Sequence, residues 1–213
     1  MALVDTLAHD LLRIGAVSLR PDAPFTWASG RLSPVYTDNR LTLSHPDVRG
    51  RIADGLVGLA RSLDGLEAVS GTATAGIAHG ALLADRMRLP FSYVRSSAKG
   101  HGKENRIEGA IRVGQRTVVV EDLVSTGGSV LSAVEALQSA GAEVVAACAV
   151  FTYGFPEADA AFQDAGLPLL TLTDLDALAE AARESGDLEA SALEALVSWR
   201  ADPAGWSRSR GGA

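Results

Sequence analysis

Glu121 and Asp122 stand side by side at the end of an apolar run, in the stretch VVVEDLVSTGGSV (118–130). Carboxylates accept hydrogen bonds, and adjacent sugar hydroxyls offer two donors. Side chains alternate along a strand, so a turn of the chain at this point is expected to bring both acids to one polyol. Ser125, Thr126, Gly127, Gly128 and Ser129 come next. Residues this small let backbone N–H groups approach an anion, and a following helix N-terminus adds its dipole. The Thr126 and Ser129 hydroxyls can donate as well. Acids for a ribose beside a nest for its 5-phosphate describe a site for a phosphorylated pentose. A plain strand-to-helix turn with an acidic cap is the competing reading. The nucleotide patterns GxxxxGK[ST] and GxGxxG are both absent.

A second cluster is cationic. Arg95, Lys99, His101, Lys103 and Arg106 crowd into a short stretch of a chain whose net charge is −7. Gly100, Gly102 and Gly109 and a low apolar content predict a polar, mobile loop over 96–109. A flexible cationic loop suits closure over a polyanion with exclusion of water. A solvated surface loop is the bland alternative.

Elements of the right kind surround both clusters. Leu3, Leu7, Leu11 and Ile14 recur at helical spacing and predict a helix over 2–14. Residues 15–43 are rich in Gly, Pro, Ser and aromatics and predict a small irregular cap, with extended pieces at 17–19 and 35–37. Ser44, Pro46 and Asp47 signal a helix start, and Val48, Ile52, Leu56, Leu59 and Leu63 give it one apolar face. Strands are then expected at 67–71, 89–95, 115–122, 143–153 and 167–173. Helices are expected at 77–87, 129–140, 174–184 and 188–199. The tail GWSRSRGGA (205–213) is expected to fray. Strands apolar on both faces and separated by helices imply a central parallel sheet flanked by helices, an α/β fold. Ligands in such folds bind beyond the C-terminal ends of the strands, where the loops after 71, 95 and 122 fall.

Composition narrows the class. The 213 residues fit one domain, and 47% hydrophobic content supplies a core without staples. The acidic charge argues against a nucleic-acid surface. The single cysteine, Cys148, lies in the apolar run VVAACAV and is expected to be buried packing. The N-terminus lacks the pattern of a signal peptide, and no apolar stretch is long enough to span a membrane, so a cytoplasmic protein is expected.

VVVEDLVSTGGS resembles the phosphoribosyl-pyrophosphate (PRPP) signature of type I phosphoribosyltransferases. Three further stretches resemble orotate phosphoribosyltransferases in particular: FTWASGRLSPVYTDNR (25–40), GTATAGIAHGALLA (71–84) and YVRSSAKGHGKENRIEG (93–109). Order and spacing match over roughly residues 15–155. The resemblance implies the type I phosphoribosyltransferase fold, with 15–43 as a hood over the base and 96–109 as the catalytic loop. It implies PRPP contacts from Arg95, Lys99, His101, Glu121, Asp122, Leu123, Val124, Ser125, Thr126, Gly127, Gly128 and Ser129. Ser125 also falls beside the orotate carboxylate. Lys99, His101 and Asp122 form the implied catalytic set, with Lys99 neutralising the leaving pyrophosphate. Mg2+ is the implied cofactor, held mainly by PRPP and water. A homodimer is implied too, because Lys99 and His101 would reach into the neighbouring subunit's site. Some relatives carry a non-proline cis peptide in the loop opened by Gly71 and Thr72.

Some positions depart from the pattern of other family members. Ser96 stands where some have a second cation, Ala75 where some have a lysine, and FTYGFPEADA (151–160) contains no arginine for orotate. Lys103 is the nearest replacement cation. His79, on a helix among small residues, reads as structural, and His45 as part of a helix start. Trp27 offers either a stacking face or ordinary packing. Within the superfamily a purine or uracil phosphoribosyltransferase is the alternative. A PRPP-sensing regulator would need a basic recognition module, and residues 1–40 carry only Arg13, Arg20, Arg31 and Arg40.

Overall fold

The computed structural model describes residues 2–27, 29–97 and 106–213. Its first helix, α1 (Leu3–Arg13), buries Leu7 and Leu11 on the face their spacing predicts. Four short strands follow: β1 (Val17–Leu19), β2 (Phe25–Thr26), β3 (Leu32–Ser33) and β4 (Val35–Thr37). β1 pairs antiparallel with β4, and β2 with β3, so the extended pieces read from sequence are each other's partners. A 3-10 turn (Asn39–Ser44) leads into α2 (Pro46–Ala60), with His45 as its N-cap and Pro46 in its first turn, where a missing N–H costs nothing.

Alternation of strand and helix then builds the main layer. β5 (Ala68–Thr72) leads to α3 (Gly76–Met87), and β6 (Phe91–Val94) to β7 (Ile107–Glu108). β8 (Arg116–Val124) is followed by α4 (Gly128–Ser139), β9 (Glu143–Thr152) by α5 (Pro156–Asp164), and β10 (Leu169–Asp174) by α6 (Leu175–Glu184). The six strands pair in the order β10-β9-β8-β5-β6-β7, all parallel except β7, which runs against β6. Val118 and Val120 pack with Ile52, Leu56 and Leu83, while Val119 packs with Val130, Leu137 and Phe162. The central strand is therefore buried on both faces, as its unbroken valines require. Cys148 lies in the same layer, fully buried, and burial pushes its thiol up to about 12. Two helices, α7 (Ala190–Ala201) and α8 (Pro203–Arg208), close the chain against α1, α6 and the short strands. Among the described residues, no helix is long and apolar enough to cross a membrane.

Four expectations need correction. The chain does not turn at the acid pair: β8 runs on to Val124, with Glu121 opposite Ala149 and Leu123 opposite Phe151. Leu123 and Val124 are apolar and still find partners in β9, so pairing outlasts the acids. The loop placed over 96–109 ends early, because Ile107 is buried and pairs with Val94; residues 98–105 lie outside the described residues. The helix α5 went unread, although Pro156, Glu157 and Asp159 mark its first turn and Ala158 and Phe162 give it a buried face. The tail does not fray. Trp206 and Ser207 are buried, and the last residues fold back onto β3.

Candidate active site

β8 delivers the two acids to the C-terminal edge of the sheet. Glu121 is buried, and its Oε1 accepts the Asp122 backbone N–H at 3.0 Å. Its carboxyl also lies within hydrogen-bonding reach of the Asp122 and Thr72 side chains. The acids thus meet because the Glu121 side chain folds back along the strand, with no turn of the backbone. Burial first, and then hydrogen bonding to Asp122, push Glu121 up to about 9. The ligand-free protein therefore holds a proton on this pair at neutral pH. Asp122 is half-buried, and its carbonyl accepts from Asn39 Nδ2 at 2.8 Å. That bond ties the N-terminal segment to the acid strand. Tyr153 adds a second tie, its hydroxyl donating to Thr37 Oγ1 at 3.0 Å.

The raised Glu121 value gives a pH prediction. A carboxyl that binds its proton more tightly when folded contributes stability below the ordinary carboxylate range. That contribution is lost as pH rises toward about 9. Each pKa unit corresponds to about 1.4 kcal/mol, roughly 3–6 °C in a domain of this size. The melting temperature of the ligand-free protein is expected to fall between pH 6 and 9, and Glu121→Gln to flatten that slope. Parallel scans of the two proteins check it, and identical slopes would count against a shared proton.

Three residues after the strand, Gly127 takes φ +84° as the residue that precedes α4. A Cβ there would lie 2.8 Å from Phe162 Cε2, so space as well as backbone angle calls for glycine. No side chain caps the helix, which leaves its first N–H groups open. Thr126, Gly128 and Ser129 are exposed at this start, and Ser125 is half-buried. Open amides at the start of a twelve-residue helix beside two acids suit one phosphate on a polyol.

The loop after β5 faces the same space. Thr72 Oγ1 donates to the Val120 carbonyl at 3.2 Å, and the Ala73–Thr74 peptide is cis. Gly71, Gly76 and Gly80 let α3 lie directly on the sheet. A Cβ on Gly76 would collide with the Val120 carbonyl and approach Glu121 Oε1 to 3.2 Å. Gly76→Ala is accordingly expected to cost about 1–3 kcal/mol, as overpacking does. A urea midpoint unchanged from wild type would contradict that close approach.

Arg95 and Arg106 close the base of the cationic loop. Arg95 N–H donates to the Arg106 carbonyl, and Arg106 Nε returns a bond to the Arg95 carbonyl, both at 2.8 Å. Arg106 Nη1 also reaches Ser132 Oγ at 2.9 Å. Arg106 is thus a latch between this loop and α4. Arg95 stands 3.7 Å from Glu108, and its Nη1 has no hydrogen-bond partner among the described residues. A cavity of about 290 Å³ lies between Thr72, Ala73, Arg95 and Ser129. A second, of about 320 Å³, reaches from Ser125 and Thr126 to Trp27 and Arg31. The structure thus brings together Glu121, Asp122, Arg95 and the 125–129 loop, while Lys99, His101 and Lys103 lie outside the described residues.

A family model of the phosphoribosyl transferase domain matches residues 53–164. The chain is 58% identical over 198 residues to the orotate phosphoribosyltransferase of Bacillus pumilus strain SAFR-032, covering 92% of this chain and 93% of that one. The Bacillus subtilis strain 168 orotate phosphoribosyltransferase is 54% identical, with 94% of each chain covered. The chain belongs to the orotate phosphoribosyltransferase family. A crystal structure of orotate phosphoribosyltransferase from Aeropyrum pernix superposes with a TM-score of 0.74 at 34% identity, covering 86% of this chain and 99% of that one.

As a member of the orotate phosphoribosyltransferase family, the chain carries several site-building residues that sequence reasoning passed over. The Arg106 latch was counted only as one more charge. Asn39 and Tyr153 are ordinary polar residues in sequence, and only the fold shows that the N-terminal segment is tied to Asp122 through Asn39 and to Tyr153 through Thr37. Trp27 both packs against Tyr153 and Trp199 and faces the cavity next to Ser125. His79 is buried, and burial lowers its pKa, so it stays neutral, in keeping with a structural role.

Proposed function

We propose that this chain transfers the phosphoribosyl group of PRPP to orotate, giving orotidine 5'-monophosphate and pyrophosphate in de novo UMP biosynthesis. The observation that carries this reading is the union, at the end of β8, of an acid pair and an uncapped helix start. Near-full-length identity to orotate phosphoribosyltransferases supports the choice of base.

The open amides of α4, with the Thr126 and Ser129 hydroxyls, receive the 5-phosphate, and Leu123, Val124, Gly127 and Gly128 line its approach. Glu121 and Asp122 accept hydrogen bonds from the ribose hydroxyls. Orotate lies between Ser125, which meets its carboxylate, and the hood of residues 15–43. The C1–O bond breaks with oxocarbenium-like character. The Asp122 carboxylate sits beside the sugar, where positive charge develops. Arg95, Lys99 and His101 meet the pyrophosphate, and Lys99 offsets the charge that builds on it. The stretch between Arg95 and Arg106 closes over the reactants and excludes water. A ring nitrogen of orotate bonds to C1 as the pyrophosphate departs, and the proton of that nitrogen passes to the departing pyrophosphate or to water.

Oxygen donors at the cleft, among them Asp122 and Thr72, suit a hydrated Mg2+ held mainly by PRPP. When bound, the ion supplies charge neutralisation at the leaving group. The working unit is a cytoplasmic homodimer in which Lys99 and His101 serve the neighbouring subunit's site.

Phosphorus NMR of PRPP incubated with the protein and Mg2+ tests the reading. Orotate is expected to convert PRPP into one phosphomonoester and free pyrophosphate, with PRPP persisting when no base is added. PRPP unchanged by orotate would overturn it.

A further inference from the structure

We infer that Ser207, on α8, is a positioning residue for the base. Its hydroxyl fixes the β2–β3 hairpin whose Trp27 and Arg31 wall the cavity next to Ser125. The inference rests on the transferase reading above and extends it to a segment that reading leaves without a task.

The hairpin cannot hold its own position. β2 and β3 share two residue pairs, Phe25 with Ser33 and Thr26 with Leu32. An isolated pairing that short is not stable in water. The chain closes the hairpin with Trp27 N–H to the Arg31 carbonyl and Gly30 N–H to the Trp27 carbonyl, both at 2.8 Å. Trp27 and Arg31 thus stand together at the mouth of the cavity of about 320 Å³, facing Ser125 and Thr126. Asp202 and Pro203, where α7 passes into α8, line the same cavity.

Residues 206–213 supply the support the hairpin lacks. Ser207 is 0% exposed. Its Oγ accepts the Leu32 N–H at 2.8 Å and donates to the Ala213 carbonyl at 2.8 Å. Gly212 N–H donates to the Ser207 carbonyl at 3.0 Å, and Ala213 N–H to the Gly30 carbonyl at 3.1 Å. One buried hydroxyl therefore joins β3 to the returning segment, and that segment holds the hairpin turn from outside. The fit admits no extra atom, since a Cβ on Gly212 would collide with Ser207 Oγ and come within 2.7 Å of Leu32 Cγ. Trp206, buried in the cluster of Trp27, Tyr153 and Trp199, anchors α8, and the Arg210 guanidinium lies 3.9 Å over its ring.

The consequence concerns the base and not PRPP. The sugar-phosphate end is built by β8 and α4, whereas the Ser207 hydroxyl bonds to Leu32 and Ala213. Loosening the hairpin loosens the wall that Trp27 and Arg31 give this cavity. Loss of binding shared equally by ground and transition states raises KM and leaves kcat unchanged.

Steady-state kinetics of Ser207→Ala provide the test. The variant leaves the Leu32 N–H without its partner. KM for orotate is expected to rise about 5- to 10-fold, the scale of a lost buried hydrogen bond, with kcat and the KM for PRPP unchanged. Amide exchange at Leu32 is expected to quicken about 10-fold. Should Ser207→Ala not fold, Ser207→Cys, which keeps bulk with a weaker acceptor, carries the same test with a smaller shift. An orotate KM that does not move, or one that moves in step with the PRPP KM, overturns the positioning role. A wild-type protein that never consumes orotate overturns the transferase reading itself, and the positioning role with it.

Discussion

Lys99→Ala is expected to lower kcat by on the order of 100-fold, the scale at which one preorganised contact to transition-state charge is lost. The argument is electrostatic. Pyrophosphate leaves with charge building on the oxygen released from C1, and the chain as a whole carries −7. The cationic stretch between Arg95 and Arg106 opposes that global sign at the place where the leaving group must be held. Of its cations, Arg106 is already engaged with the Arg95 carbonyl and Ser132. In the proposed reaction the work at the leaving group falls to Arg95, Lys99 and His101. KM for PRPP should change little, because the contact matters most once the bond is breaking. Rapid-quench or steady-state kinetics decide the matter, and a kcat within a few-fold of wild type would remove Lys99 from its role. The proposed sharing of sites between subunits predicts a second signature. Heterodimers of the Lys99→Ala chain with an Asp122-damaged chain should recover part of the activity, because one of the two sites would then be intact. No recovery in verified heterodimers would contradict sharing.

Asp122→Asn is expected to reduce kcat/KM for PRPP by roughly 10- to 150-fold, since hydrogen bonds to a charged acceptor contribute about 1.5–3 kcal/mol. Its carboxylate is the more open of the two acids, while Glu121 lies buried beneath it. The substitution keeps the shape, and the backbone carbonyl that Asn39 holds is untouched. Stability should accordingly stay close to wild type while PRPP use falls. Varying PRPP at saturating orotate measures the effect, and a kcat/KM within twofold of wild type would detach Asp122 from the ribose.

Much of this was legible in the sequence because local rules and global fold agree there. VVVEDLVSTGGS reads as strand, acids, small loop and helix, and the structure builds those parts in that order. The extended pieces expected at 17–19 and 35–37 are both strands, and the structure pairs them with each other. What escaped depends on contacts between distant residues. β8 outruns the acids because β9 is there to pair with Leu123 and Val124. The strand β7 forms because Ile107 finds Val94, across the whole cationic loop. The tail looked frayed because Gly, Ser and Arg have little to bury. Its order comes from Trp206 entering a remote aromatic cluster and from Ser207 meeting Leu32, 175 positions away. The cavity next to Ser125, where orotate is proposed to lie, was least legible for the same reason. Its walls come from the hairpin, the 125–126 loop and the α7–α8 junction, and no single stretch contains them.

The most direct measurement is the loss of orotate ultraviolet absorbance with purified protein, PRPP and Mg2+, beside parallel reactions with uracil, adenine and hypoxanthine. The account predicts consumption of orotate alone, dependent on PRPP. Consumption of another base in its place, or none at all from a protein that still binds PRPP, would contradict it.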